Sequence, residues 1–283
     1  MPSRVLLATP EVTFGEFDCP PGDPLWGAVN ANIDKPHVVI PRTHVVIAQQ
    51  ARRPVLCTPN HVVFYRARQL YRRSLRDRRG DRCIWLEVAP ALLDEAGGLP
   101  ASPAGPGDPG AFLLALALAR HLRERSTPEP LFAEDALMRL LDRLLAPARG
   151  PRRREAARPR TRAERAELVE AAKELLAARI GAPPSLRELA ATLHVSPFHL
   201  ARLFRDGTGY SPGDYVHGLR MRTAAELLMA DRNADLSRLA LDLGYCSASH
   251  FTDRFRATYG RPPSAVRGAQ PRTIVEAQRA AAA

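Results

Sequence analysis

The sequence predicts an α+β, multi-domain chain: a β-rich N-terminal region with trailing helices, then a C-terminal all-α domain of two helix-turn-helix units joined by a long helix. Three observations carry this. Residues 1–145 contain short runs of Val, Ile, Thr and aromatic residues broken by Pro, Asn and Gly; residues 146–162 are crowded with Arg and Pro; and beyond residue 163 the chain repeats itself. With 283 residues, 45% of them hydrophobic, there is enough apolar material for packed cores in two domains.

In residues 1–145 the runs "RVLLATPEVTFGEFDC", "HVVIPRTHVVIAQQ", "PVLCTPNHVVFYRA", "YRRSLRDRRG" and "DRCIWLEVA" follow at near-regular spacing, as in an antiparallel sheet or small barrel. After the loop "GLPASPAGPGDPG", the stretches "AFLLALALARHLRER" and "LFAEDALMRLLDRLLA" have leucines at helical spacing. Among these, Leu137, Leu140, Leu141 and Leu144 form a stripe that serves either the chain's own core or a dimer seam. Phe14, Phe17, Trp26, Phe64, Tyr65 and Trp85 are candidates for core packing or for lining an effector pocket.

His37, His44 and His61 lack the close His-x-His pairing of a metal centre, so no metal is expected. Cys19, Cys57, Cys83 and Cys246 lie too far apart for a zinc cluster and read as buried free thiols. No Ser-His-Asp order, acid pair or phosphate-cradling Gly loop stands out, so neither catalytic residues nor a cofactor are expected. No run reaches the ~18 to 20 apolar residues that cross a bilayer, and the apolar part of "MPSRVLLATPEVTF" is too short for a secretory signal; the expected address is cytoplasmic.

The net charge of +11 is unevenly spread. Residues 146–162, "APARGPRRREAARPRTR", hold 7 basic residues against 1 acidic, whereas residues 163–270 hold 14 against 12. The former read as a basic, phosphate-attracting hinge, and residues 271–283 as a disordered tail.

Within 163–270, His199, Leu200, Phe204, Arg205, Gly209 and Pro212 correspond to His250, Phe251, Phe255, Arg256, Gly260 and Pro263 at an offset of 51. Leu186, Leu189, Ala190 and Leu193 correspond to Leu236, Leu239, Ala240 and Leu243 at an offset of 50, so one residue is inserted near Cys246. Each unit reads as a short amphipathic helix capped by Ser185 or Asp235, a turn, and a second helix capped by Ser196 or Ser247. Between the units, "GDYVHGLRMRTAAELLM" reads as one connecting helix, with Tyr215, Leu219, Ala224, Leu227 and Leu228 apolar.

On the second helices, Leu200, Leu203 and Phe204, or Phe251 and Phe255, face inward. The outward positions are the candidate DNA-binding residues: Phe198, Ala201, Arg202 and Arg205 in the first unit, and Ala248, Ser249, His250, Asp253 and Arg256 in the second. Arg202 suits a bidentate contact to guanine and Phe198 a thymine methyl. His199 reads first as a capping or packing residue; for His250 that role and base contact are balanced.

The stretch "LALDLGYCSASHFTDRFRATYGRPPSAVR" contains Gly244-Tyr245, Ser249-His250-Phe251, Phe255-Arg256, Gly260 and Pro263 through Arg267. These residues resemble the AraC/XylS family of bacterial transcriptional regulators, over about residues 165–268. The resemblance implies a double helix-turn-helix DNA reader over 163–270 and, over 1–145, a cupin-like β-barrel with trailing helices for effector binding or dimerisation. It implies promoter DNA as partner, with RNA polymerase, a small-molecule effector and a second copy as further partners, and transcription regulation at the nucleoid, as an activator or a repressor. Asp253 departs from the amide side chains common there; a carboxylate cannot hold a phosphate, and positioning Arg256 or a nearby Arg is its favoured role. The alternative function is a cupin-type metalloenzyme fused to a DNA-binding domain.

Overall fold

The computed structural model describes residues 2–31, 34–124, 130–146, 159–267 and 269–280. Ten strands occur among these: β1 (Ser3–Ala8), β2 (Val12–Cys19), β3 (Asn30–Ala31), β4 (His37–Pro41), β5 (Val45–Gln49), β6 (Val55–Cys57), β7 (His61–Tyr65), β8 (Leu70–Leu75), β9 (Asp81–Val88) and β10 (Ala104–Pro106). They form two antiparallel sheets, β1-β2-β9-β4-β7-β10 and β3-β8-β5-β6. The strand runs read from the sequence are present, but no closed barrel is found among the described residues. The larger sheet ends at β1 and β10, and the chain passes from one sheet to the other at the corner between Pro41 and Val45.

The two-residue period of a strand sorts the side chains. On β9, Ile84, Leu86 and Val88 join the core against the helices, while Asp81, Cys83 and Trp85 face the space between the sheets. Gly15 pairs with Trp85 across β2 and β9, and a Cβ at Gly15 would collide with the indole ring, so glycine makes room for it.

Three helices follow: α1 (Pro90–Glu95), α2 (Pro109–Glu124) and α3 (Pro130–Leu145). Helix α2 is buried continuously from Ala111 to Arg120 and forms the centre of the molecule. Leu137, Leu140, Leu141 and Leu144 are all buried within the chain, so this stripe serves the chain's own core rather than an open seam.

Most of the Arg/Pro-rich segment, 147–158, lies outside the described residues. Helix α4 (Pro159–Ala177) begins inside the segment expected to be a hinge. The first unit is α5 (Leu186–Thr192) and α6 (Pro197–Thr208), the connector is α7 (Pro212–Ala230), and the second unit is α8 (Leu236–Asp242) and α9 (Ala248–Tyr259). Helices α10 (Pro263–Val266) and α11 (Pro271–Ala280) close the chain. The tail expected to be disordered is therefore helical through Ala280. Its few apolar residues, Ile274 and Val275, are buried beside α2 and α3, and tertiary packing outweighs a weak local signal.

The apolar interior does not divide at the Arg/Pro-rich segment. One continuous core runs from the larger sheet through α2 and α3 into α7, the second unit and α11, whereas the first unit closes its own core with α4 and the start of α7. Three cysteines are buried as expected, but Cys246 is exposed, because it is the extra residue in the turn before α9.

Candidate nucleic-acid interface

Each unit is started by the caps that its sequence specifies. Ser185 closes a capping box with Glu188, and the Asp235 carboxylate accepts from the backbone of Ser237 and Arg238. Ser196 and Ser247 accept from the backbone N–H of His199 and His250 at the start of α6 and α9. Both second helices end at a left-handed glycine, Gly209 or Gly260.

Leu200, Leu203 and Phe204 on α6, and Phe251, Phe255 and Tyr259 on α9, are buried, which turns the opposite faces outward. Phe198 is 81% exposed at the N-terminal end of α6, with Arg202 and Arg205 exposed behind it and Ala201 half-buried. On α9, Ser249, His250, Asp253 and Arg256 are exposed and Ala248 is half-buried. Asp253 makes no ion pair with Arg256 among the described residues, and both side chains are exposed. The His250 ring lies 3.3 Å from the Cys246 thiol and edge-on to Tyr245, while His199 is half-buried.

Residues that sequence periodicity did not single out lock the two units together. Arg220 on α7 donates to the Ile180 carbonyl at 2.7 Å and lies over the Tyr245 ring of the second unit. Gly181 and Gly244 bring the two backbones together: a Cβ on Gly244 would collide with the Gly181 carbonyl, and one on Gly181 would lie 2.7 Å from the Asp242 carbonyl. His217 bridges the Tyr245 hydroxyl at 3.2 Å and the Thr258 hydroxyl at 3.1 Å. Burial, reinforced by the charge of Arg254, lowers its pKa to about 4. A cleft of about 480 Å³ between the units is bordered by His217, Arg220, His250 and Arg254.

The other side of α7 faces the N-terminal region along one stripe: Tyr215, Gly218, Arg222, Glu226 and Met229, spaced three or four residues apart. The Tyr215 hydroxyl shares a 3.0 Å hydrogen bond with Thr58, and Asn60 donates to the Tyr215 carbonyl at 2.7 Å. Arg222, 1% exposed, donates to Asn60 Oδ1 at 2.9 Å and to the Gly107 carbonyl. Arg42 grips both oxygens of Glu226 through Nε at 3.0 Å and reaches Glu16 at 2.9 Å, while Arg123 holds Glu16 from the far side at 2.7 Å. Arg120 donates to the Met229 and Ala269 carbonyls, satisfying an otherwise free group in the last turn of α7. Leu227, read as one of the helix's apolar positions, is 42% exposed instead.

Between the two sheets lies a cavity of about 420 Å³. Of the six aromatic residues proposed for a pocket, Phe17, Tyr65 and Trp85 line it. Phe14 and Phe64 have the opposite strand parity and sit in the helical core, and Trp26 packs from its loop with Nε1 donating to the Pro20 carbonyl. His37 lines the cavity, its pKa lowered by burial; His61 instead accepts from the Thr58 backbone N–H at 3.1 Å beside Tyr215. Among the described residues no group of three or more His, Cys, Asp or Glu is placed to hold a metal ion, and no helix is long and apolar enough to cross a membrane.

Residues 189–269 match the family model of a helix-turn-helix domain. The chain is 34% identical over 79 residues to an HTH-type transcriptional regulator, YobQ, of Bacillus subtilis, covering 28% of this chain and 32% of that protein. It is 34% identical over 97 residues to the HTH-type transcriptional regulator GbdR of Pseudomonas aeruginosa, covering 34% and 26%. The matched stretch thus spans about a third or less of these relatives' length. A solved AraC-type transcriptional regulator structure from Chromobacterium violaceum aligns at 30% identity over 37% of this chain and 95% of its own, with a TM-score of 0.35. With the duplicated units, whose second helices share a serine cap and a left-handed terminal glycine, and the match over residues 189–269, this part of the chain is a helix-turn-helix domain similar to those of AraC-type transcriptional regulators.

Proposed function

We propose that the chain is a sequence-specific transcriptional regulator that places α6 and α9 in successive major-groove segments of a promoter, with its N-terminal region tuning that engagement. The observation that carries this is the pairing of two exposed recognition faces on one rigid connector. Helix α7 has 19 residues, giving roughly 28 Å at 1.5 Å per residue, and the width of the two heads brings their separation toward the ~34 Å between groove segments. Phe198, Ala201, Arg202 and Arg205 form the first reading surface, and Ala248, Ser249, His250, Asp253 and Arg256 the second. Arg202 is the strongest candidate for direct base reading because it is an exposed cation on the outward face of α6, one turn beyond Phe198. Asp253 disfavours close phosphate contact, so the second head contributes more to register.

The N-terminal region fits a cupin-like effector module in having a cavity between two sheets and a polar grip on α7. In this reading the protein acts in the cytoplasm at the nucleoid; RNA polymerase and a second copy are further partners, and the double reader suits an activator. The metalloenzyme alternative has no support: the relatives are named as regulators.

Capture of genomic fragments on the purified full-length chain, followed by footprinting of the strongest, tests the reading. Protection of two successive major-groove segments per chain is the expected result. Binding that is only sequence-independent and salt-sensitive overturns it.

A further inference from the structure

We propose that the cavity between the sheets takes an uncharged, elongated and mainly apolar small molecule carrying an oxygen acceptor near each end. The proposal rests on the effector reading above and adds the chemistry of the ligand.

The charges around the cavity are already matched by the protein. Arg73 and Asp81, with side chains 5% and 6% exposed, pair at 3.1 Å, and the guanidinium lies 4.4 Å over the Phe17 ring. At the other end Glu87 is met by Lys35 at 3.4 Å, with the His37 ring 3.7 Å away. Burial disfavours the charged form of the other titratable groups: it lowers the pKa of His37, raises that of Tyr71 to about 12, and pushes those of Tyr65 and Cys83 well up. A charged ligand would enter without a free counter-charge, and burying an unpaired charge is strongly unfavourable.

The polar atoms left over are donors. Arg73 Nε and Trp85 Nε1 are buried and have no hydrogen-bond partner, although both side chains line the cavity. Arg73 spends Nη1 on Asp81 and reaches Asn30 through Nη2 only at 3.4 Å. Each orphaned N–H favours a ligand that brings an acceptor. Asp81, Arg73's partner, and Trp85 lie four residues apart on the same face of β9, about 13 Å along the strand, so the acceptors belong at opposite ends of the molecule. Between them the wall is Val39, Val45, Ile47 and Val63 with the rings of Phe17 and Tyr65, which suits an apolar body.

The same strands end on the connector. Pro41 lines the cavity and the next residue, Arg42, holds Glu226; Arg82, between the lining residues Asp81 and Cys83, approaches Glu226 at 3.7 Å. Occupancy therefore bears on α7 through two adjacent strand ends.

Calorimetric titration of the full-length chain with three related phenols tests the ligand class: methyl 3-(4-hydroxyphenyl)propionate (uncharged, oxygen at both ends), 3-(4-hydroxyphenyl)propionate (anionic) and tyramine (cationic). The ester is expected to bind at least tenfold more tightly than either charged probe, and Trp85→Phe, which keeps a ring but removes the donor, is expected to weaken the ester about five- to tenfold. Equal or tighter binding of a charged probe, ester binding indifferent to Trp85→Phe, or no binding by any probe to a chain that still unfolds cooperatively overturns the proposal. Repeating DNA titrations with each probe separates the two readings. If the ester binds without changing DNA affinity, the effector role fails while the ligand class stands; if only a charged probe changes DNA affinity, the ligand class fails while the effector role stands.

Discussion

Gly218 of α7 faces Asn60 so closely that a Cβ at position 218 would lie 2.7 Å from Asn60 Oδ1. Asn60 has nowhere to retreat, because its amide is fixed by the Tyr215 carbonyl and its oxygen by Arg222. Helix propensity alone favours Gly→Ala by up to ~1 kcal/mol. Here Gly218→Ala is expected to destabilise the chain by about 1 to 3 kcal/mol through overpacking. Gly213→Ala, in the same helix, where a Cβ would come no nearer than 3.9 Å to Ser211 Oγ, should be neutral or slightly stabilising. Urea unfolding of the two variants measures the contrast.

Arg202→Ala should weaken binding to the captured site by ~1 to 3 kcal/mol while leaving affinity for random DNA nearly unchanged, if the guanidinium reads a base. Parallel titrations on cognate and scrambled duplexes measure this. Equal losses on both would reassign Arg202 to a phosphate.

The turn residues His194 and Gly244 occupy equivalent positions in the repeat, and both have positive φ, 54° and 77°. A side chain there costs roughly 1 to 2 kcal/mol unless it tolerates the left-handed region. His194→Gly should therefore change stability by less than ~1 kcal/mol, whereas His194→Val should lose about 1 to 2 kcal/mol. Gly244→Ala should cost more than either, since its Cβ would meet the Gly181 carbonyl as well. Thermal unfolding of the three variants gives the order.

His217 is held neutral between two hydroxyls, with a folded pKa of about 4 against its ordinary 6.5. Because the folded value is the lower one, the unfolded chain takes up the proton first. This residue's contribution to stability is thus complete above pH 6.5 and is lost as pH falls toward 4. Denaturation midpoints measured between pH 7 and 4 should decline less steeply in His217→Gln than in the parent. A decline remains, since burial also lowers the pKa of His37, His44 and His61.

The repeat, its caps and the outward faces of α6 and α9 were legible because they are local: a serine three residues before the N–H that it accepts, and leucines at helical spacing. The grip on α7 was not. Arg222 and Glu226 look like solvent-facing charges in their own helix, and the groups that bury them, Asn60, Gly107 and Arg42, lie more than 100 residues away in the chain. Strand β10 sits in a Pro- and Gly-rich loop and is defined by pairing with β7 rather than by its composition. The division of the aromatic residues between cavity and core follows strand parity, which depends on register and is unavailable to composition.

The second unit shares its interior with α2 and α11, so the protein has no clean cleavage line between the N-terminal region and the helix-turn-helix units. A fragment starting at residue 159 would expose the face of α7 that carries Arg222, Glu226 and Met229, along with the side of α11 that α2 covers. Chimeras that graft the helix-turn-helix units onto a foreign N-terminal domain must carry α2 with them, and transplants of the N-terminal region must include the C-terminal helix. Modularity here belongs to the first recognition unit, which alone closes its own core.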